Sequence, residues 1–147
     1  MQRILWLCTI SVLVFFSVIT SSPVPSTDAS LIDVTPRPPM FYDMAGNRIH
    51  NSTLGYPVMI LTDFTNAKLV SQSVTFLIEV RDENGVTQYL AWQITTAPTM
   101  GTKSAGISWI SDKAGEYQIR TFVISNLTNP QVLSPVEAAN FVVVKPE

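Results

Sequence analysis

Residues 74–94 read Val74-Thr75-Phe76-Leu77-Ile78-Glu79-Val80-Arg81-Asp82-Glu83-Asn84-Gly85-Val86-Thr87-Gln88-Tyr89-Leu90-Ala91-Trp92-Gln93-Ile94. Val74, Phe76, Ile78 and Val80 alternate with Thr75, Leu77, Glu79 and Arg81, the pattern of an amphipathic strand with one buried face. The run stops at Asp82-Glu83-Asn84-Gly85. Asn-Gly accepts the positive φ angles of a tight hairpin turn, so the stretch from Val86 to Ile94 should pair back on the first strand. A helix cannot use this spacing, because its apolar side would have to recur every three to four residues.

The same reading extends in both directions. Upstream, Val58, Ile60, Thr62 and Phe64 alternate with Met59, Leu61 and Asp63. Downstream, Ile107 and Trp109 mark a short strand, Tyr117 to Ser125 is β-branched and aromatic, and Phe141-Val142-Val143-Val144 supplies the last run. Turn signals separate these segments at Asn66-Ala67, Ala97-Pro98, Ala114-Gly115, Asn129-Pro130 and Ser134-Pro135. About seven short strands at this spacing predict an all-β, antiparallel β-sandwich over residues 40–147.

Two different segments precede it. Residues 4–19 hold no charge and follow Arg3. At roughly 16 residues the run is long for a signal-peptide core and short for a membrane span. Residues 1–22 are therefore expected to form an apolar helix that is either a signal peptide or an N-terminal anchor. Pro23 disfavours cleavage after Ser22, whereas Thr27-Asp28-Ala29 offers small residues for a cut before Ser30. Either way the remainder is exported, with membrane contact through residues 4–19 if they are retained. Residues 23–39 contain Pro23, Pro25, Pro36, Pro38 and Pro39 and read as a semi-rigid spacer, in which Leu31 to Val34 has the pattern of an edge strand.

Composition removes several classes of function. The chain has 147 residues, one cysteine and one histidine. Cys8 lies within the leader, so roughly 115 residues must fold without a disulfide, which is feasible at that size. A net charge of −2 gives no basic footprint for nucleic acid. His50 stands near Asn47, Arg48 and Asn51 and reads as a loop residue. One histidine without a suitably placed cysteine cannot make a blue-copper site, and no Ser–His–carboxylate set can be specified. The carboxylate pairs Asp82 with Glu83 and Asp112 with Glu116 fall at turns, where solvated acids are the ordinary case. The Asp82-Glu83-Asn84 turn lacks the spaced ligand series of a calcium loop. No catalytic residue, metal site or cofactor is expected.

Asp112-Lys113-Ala114-Gly115-Glu116-Tyr117-Gln118-Ile119 resembles the E–F corner of immunoglobulin-like domains. In that resemblance Asp112, Gly115 and Tyr117 form a tyrosine corner, whose buried ring hydrogen-bonds upstream backbone. Ile119 stands where antibody-type domains have a cysteine, which leaves the disulfide-free relatives. Over residues 45–144 the chain further resembles small exported Ig-like modules that accompany surface proteins of archaea, including ammonia oxidisers. The matching stretches are Gly55-Tyr56-Pro57-Val58-Met59-Ile60, Phe76 to Asp82, Ser108-Trp109-Ile110 and Phe122-Val123-Ile124-Ser125. The resemblance implies a non-enzymatic interaction or structural module at the cell surface. A second expectation is an accessory subunit of a membrane complex, for example of an oxidoreductase such as ammonia monooxygenase, held by residues 4–19.

Four side chains are candidates for a partner surface: Tyr89, Trp92, Phe122 and Ile124. Phe122 and Ile124 lie on the opposite face of their strand from Tyr117, Ile119 and Val123, so that strand is apolar on both sides. The outer face of a free sandwich should be polar, so this one is expected to be covered by the N-terminal segment or by a protein at the cell surface or in the membrane. Asn51-Ser52-Thr53 and Asn126-Leu127-Thr128 are sequons, placing candidate glycosylation at Asn51 and Asn126 in expected loops.

Overall fold

The computed structural model describes residues 33–147. The apolar leader and most of the spacer, with the helix, signal or anchor expected there, lie outside the described residues. The rest is all-β. The strands are β1 (Val34–Pro36), β2 (Met40–Tyr42), β3 (Arg48–Ile49), β4 (Asn51–Thr53), β5 (Pro57–Asn66), β6 (Gln72–Asp82), β7 (Thr87–Ala97), β8 (Thr102–Ile110), β9 (Gly115–Ile124) and β10 (Glu137–Val144). They form two five-stranded sheets. In the first, β5 pairs with β8 along one edge and with β1 and β2 along the other, and β3 follows β2. The second runs β4-β10-β9-β6-β7.

The sandwich thus has ten strands among the described residues where about seven were expected. The additions are short pieces of two or three residues, too brief to show a period. β1 lies within the stretch read as spacer. Val34 is fully buried, and its N–H donates to the Leu133 carbonyl at 3.0 Å. Pro36 is tolerated because β1 is an edge strand. The expectation of an antiparallel fold holds for every pair but one: β4 runs parallel to β10, with Asn51 beside Val142.

The 74–94 reading yields a β6–β7 hairpin, with Leu77 opposite Trp92 and Ile78 opposite Ala91. The turn is closed by Asp82, whose Oδ1 accepts from the N–H groups of Asn84 and Val86 at 2.9 Å each. Gly85 has φ +76°, a left-handed angle that side chains with a Cβ rarely adopt. One expectation for β6 fails. It is not amphipathic, because every residue from Val74 to Val80 is buried. β6 sits between β9 and β7, so side chains of both neighbours flank its outer face as well.

The core lies between the sheets. Val58, Ile60 and Phe64 of β5 face Val74, Phe76, Ile78 and Val80 of β6 and Ile119 and Val123 of β9. Two aromatic groups join the layers. Phe64 stacks on Phe76 at 6.2 Å between ring centroids, and Phe141 meets Phe41 at 4.6 Å and Trp109 at 6.4 Å. Asn66, at the end of β5, is buried with its amide fully used. It donates to the Val70 and Pro98 carbonyls at 2.9 Å and accepts from the Lys68 N–H and the Gln72 amide.

Between β8 and β9 the chain crosses from one sheet to the other. Tyr117 is buried there, edge-on to Trp109 at 5.0 Å. Its hydroxyl donates to the Lys113 carbonyl at 2.8 Å and accepts from Ser111 Oγ at 2.9 Å. Gly115 opens β9. The third residue of the expected corner differs: Asp112 is exposed and the buried Ser111 beside it makes the contact. A short hydroxyl reaches the phenol without burying a charge. Tyr117→Phe removes both bonds while keeping the ring, so it should lower stability by about 1–2 kcal/mol. Urea denaturation should show the loss in the midpoint with an unchanged slope, and Ser111→Ala in the same background should add less than it costs alone.

Candidate functional site

Directly paired residues on neighbouring strands project to the same side of a sheet. Leu77 of β6 is paired with Trp92 on one side and Phe122 on the other. Val74, Phe76, Ile78 and Val80 point into the core, so the row Trp92–Leu77–Phe122 lies on the outer face of the second sheet. Above it runs Ile94–Thr75–Ile124, and below it Leu90–Glu79–Arg120. Trp92, Leu90 and Ile94 are exposed, Phe122 is half-buried and Leu77 is buried. Val136, exposed just before β10, extends the apolar area beyond Phe122.

Three of the four candidate surface residues therefore share one face, and two expectations need correction. Tyr89 is paired with core-facing Val80, so it points to the other side. Its ring packs partly on the core and its hydroxyl donates to the Ser108 carbonyl at 3.2 Å. An odd spacing from Trp92 along a strand guarantees opposite faces. Ile124 is on the expected face but only 8 % exposed. The chain doubles back after β9, bridging Ile124 from Val132, and the Leu133 N–H donates to the Val123 carbonyl at 3.0 Å. Part of the cover expected from another segment is thus supplied by residues 125–133.

One polar cluster interrupts the face. Glu79 is 9 % exposed, accepts from the Thr87 hydroxyl at 2.6 Å and from Arg120 Nη1 at 2.9 Å, and lies 2.9 Å from Arg81 Nε. Burial alone would raise its carboxyl. The Thr87 hydroxyl, Arg81 and Arg120 together outweigh that and hold it below its ordinary value of 4.5. Sequence alternation placed Glu79 and Arg81 on the solvent side, where they would have been unremarkable. Their burial follows from the sheet order, and only the three-strand register brings Arg120 alongside. One carboxylate faces two guanidinium groups, so Glu79 is fully matched and the cluster keeps one positive charge in excess.

The remaining candidates are dispersed. His50 is exposed between β3 and β4. Asn51 lies in edge strand β4 rather than in a loop, with its side chain exposed. Asn126 is in an exposed turn, where its Oδ1 accepts from the N–H groups of Thr128 and Asn129 at 3.0 and 2.7 Å. Asp82, Glu83 and Glu116 line one open groove of about 310 Å³ at an end of the sandwich. Asp82 is engaged by its own turn and by the Gln88 amide at 2.8 Å. Among the described residues no three His, Cys, Asp or Glu side chains come together as metal ligands.

Glu79 gives the site a measurable pH signature. A carboxyl lowered in the folded state adds stability in full above 4.5, and that contribution is lost as pH falls through the lower folded value. The urea midpoint of the wild type should thus fall on acidification below that range. Glu79→Gln should cost about 1–2 kcal/mol at neutral pH, since both arginines stay partly solvated. The difference between the two proteins should shrink as pH is lowered; a constant gap would show that Glu79 does not titrate with folding.

No protein-family model and no curated protein matches this sequence. Among solved structures the chain is similar to the C-terminal domain of wzt, at 12 % identity and a TM-score of 0.65, over 76 % of this chain and 75 % of that one. It is similar to a β-glucuronidase from glycoside hydrolase family 2 at 10 % identity and a TM-score of 0.61, covering 76 % of this chain but 13 % of the glucuronidase. It is also similar to the CARDB domain of a Pyrococcus furiosus protein, solved with di-metal ions, at 14 % identity and a TM-score of 0.52, over 77 % of this chain and 92 % of that domain. At such identities the likeness is one of fold: the described residues form an immunoglobulin-like β-sandwich.

Proposed function

We propose that this chain is a non-catalytic, extracytoplasmic interaction module that binds a protein at the cell surface through the outer face of its second sheet. The row Trp92–Leu77–Phe122 carries this reading. In a sandwich bathed by water that face should be polar, and here it presents Leu90, Trp92, Ile94 and Val136 to solvent. A large aromatic rimmed by aliphatic residues is the composition of an interface anchor. Export rests on the leader, and the finer likeness to modules of archaeal surface proteins belongs to the same proposal.

A second reading, an accessory subunit of a membrane complex held by uncleaved residues 4–19, has its own support. The described chain enters the fold where Val34 bonds Leu133, next to Val132 at one end of the apolar face. An anchor preceding Asp33 would hold that face close to the bilayer.

Affinity capture from solubilised membranes tests the proposal. Wild-type protein should recover a stoichiometric partner, and Trp92→Ala and Val136→Glu should each reduce recovery at least tenfold, while Tyr56→Ala, an exposed residue outside this face, should not. No stoichiometric partner for the wild type would overturn the reading. Intact mass separates the two forms: loss of residues 1–29 is expected for the exported module, whereas a membrane-held species that keeps residues 1–19 marks the subunit.

A further inference from the structure

β7 ends its sheet. One edge pairs with β6 from Thr87 to Ala97. Among the described residues no strand pairs with the other edge, and no backbone hydrogen bond outside the sheet ladders reaches it. An open edge is a row of unpaired N–H and C=O groups that can template another strand. Proteins usually blunt such edges with lysine, proline, a bulge or very short length. The other edges here follow that rule: β8 carries Lys103, β3 carries Arg48, β1 contains Pro36, and β4 has three residues.

β7 has one of these protections, a bulge at Gln88 beside the hairpin turn, and none from Tyr89 to Ala97. Its eleven residues, Thr87-Gln88-Tyr89-Leu90-Ala91-Trp92-Gln93-Ile94-Thr95-Thr96-Ala97, include no charge and no proline. The one irregularity in its ladder lies at Val80/Arg81, beside the hairpin turn. Leu90, Trp92 and Ile94 alternate along it, 51, 53 and 65 % exposed. The occupant must supply an extended backbone and alternating apolar side chains, and β7 itself has both.

We propose that β7 pairs antiparallel with β7 of a second copy of this chain, about a two-fold axis at Trp92, joining the two second sheets into one. Such an axis sets Leu90 opposite Ile94 of the copy and Tyr89 opposite Thr95 of the copy, so side chains of one face meet side chains of the same face from Tyr89 to Thr95, short of the bulge at Gln88. The strand is uncharged, so meeting itself creates no like-charge contact. Arg81 and Arg120 both lie against Glu79 on β6 and β9, one and two strands in from the β7 edge, so neither meets its copy at the axis. The row Phe122–Leu77–Trp92 then runs unbroken across the axis into its copy. This inference stands on the β7 edge and does not require that the outer face bind a different protein.

Sedimentation of the purified full chain across a hundredfold concentration range tests it. The wild type should pass from one-chain to two-chain mass, and Trp92→Lys combined with Ile94→Lys should remain at one-chain mass with its sheet circular dichroism retained. In a Cys8→Ser background, Trp92→Cys should form an interchain disulfide under mild oxidation, and Tyr56→Cys, an exposed site away from β7, should not. A wild type that stays monomeric throughout overturns the proposal. So does a dimer that survives the lysine substitutions with no cross-link at residue 92. If the lysine variant fails to fold, the cysteine pair decides alone.

Discussion

β6 is closed to water on both faces, and much of the structure follows from that burial. Its inner side chains meet β5 across the core, while its outer ones lie between Trp92 and Ile94 of β7 and Phe122 and Arg120 of β9. A central strand in this position cannot leave a carboxylate unpaired, since a buried charge without partners costs several kcal/mol. Glu79 is therefore matched by Thr87 of β7, Arg120 of β9 and Arg81 of its own strand. The same closure leaves the apolar surface to the flanking strands, where Trp92 and its neighbours remain exposed.

Without a disulfide in the described residues, the two sheets are held by packing and by a few fully satisfied polar groups. The aromatic pairs Phe64–Phe76 and Phe41–Phe141 join the layers through side chains alone. Where the chain crosses between sheets, Tyr117 ties ring to backbone through Lys113 and Ser111. Asn66 fixes another crossover by binding the loops after β5 and β7 at once. Burying such groups is favourable only when their hydrogen-bonding capacity is met, so each also restricts its loop to one conformation.

The functional reading depends on a contrast between the sheet's interior and its margin. Glu79 at the centre of the outer face is engaged by Thr87, Arg81 and Arg120, and the apolar groups are left without cover toward β7. A surface built this way offers exposed apolar area around Trp92 for association. Asp82 illustrates the same economy at the sandwich end, where its oxygens serve the hairpin turn and Gln88.

Sequence alone determined the hairpin, the strand character of the chain and the crossover at Tyr117. The first two rest on local chemistry, period-two alternation and the Asn84-Gly85 turn, and the third on the resemblance of residues 112–119 to the immunoglobulin E–F corner. It also set Phe122 and Ile124 on the face opposite Tyr117. Only the tertiary structure decided which faces are wet. β6 reads as amphipathic, yet both its sides are buried, because sheet order, not strand pattern, places it between β7 and β9. The odd spacing of Tyr89 and Trp92 separates their faces, but only register with β6 turns Tyr89 to the core and Trp92 outward, and Ile124 is covered where the chain doubles back through residues 125–133. β1, too short for a period, joins the sheet only through the partners that β5 and Leu133 supply. Such outcomes depend on residues far apart in the chain, and no local pattern encodes which distant strand will lie alongside.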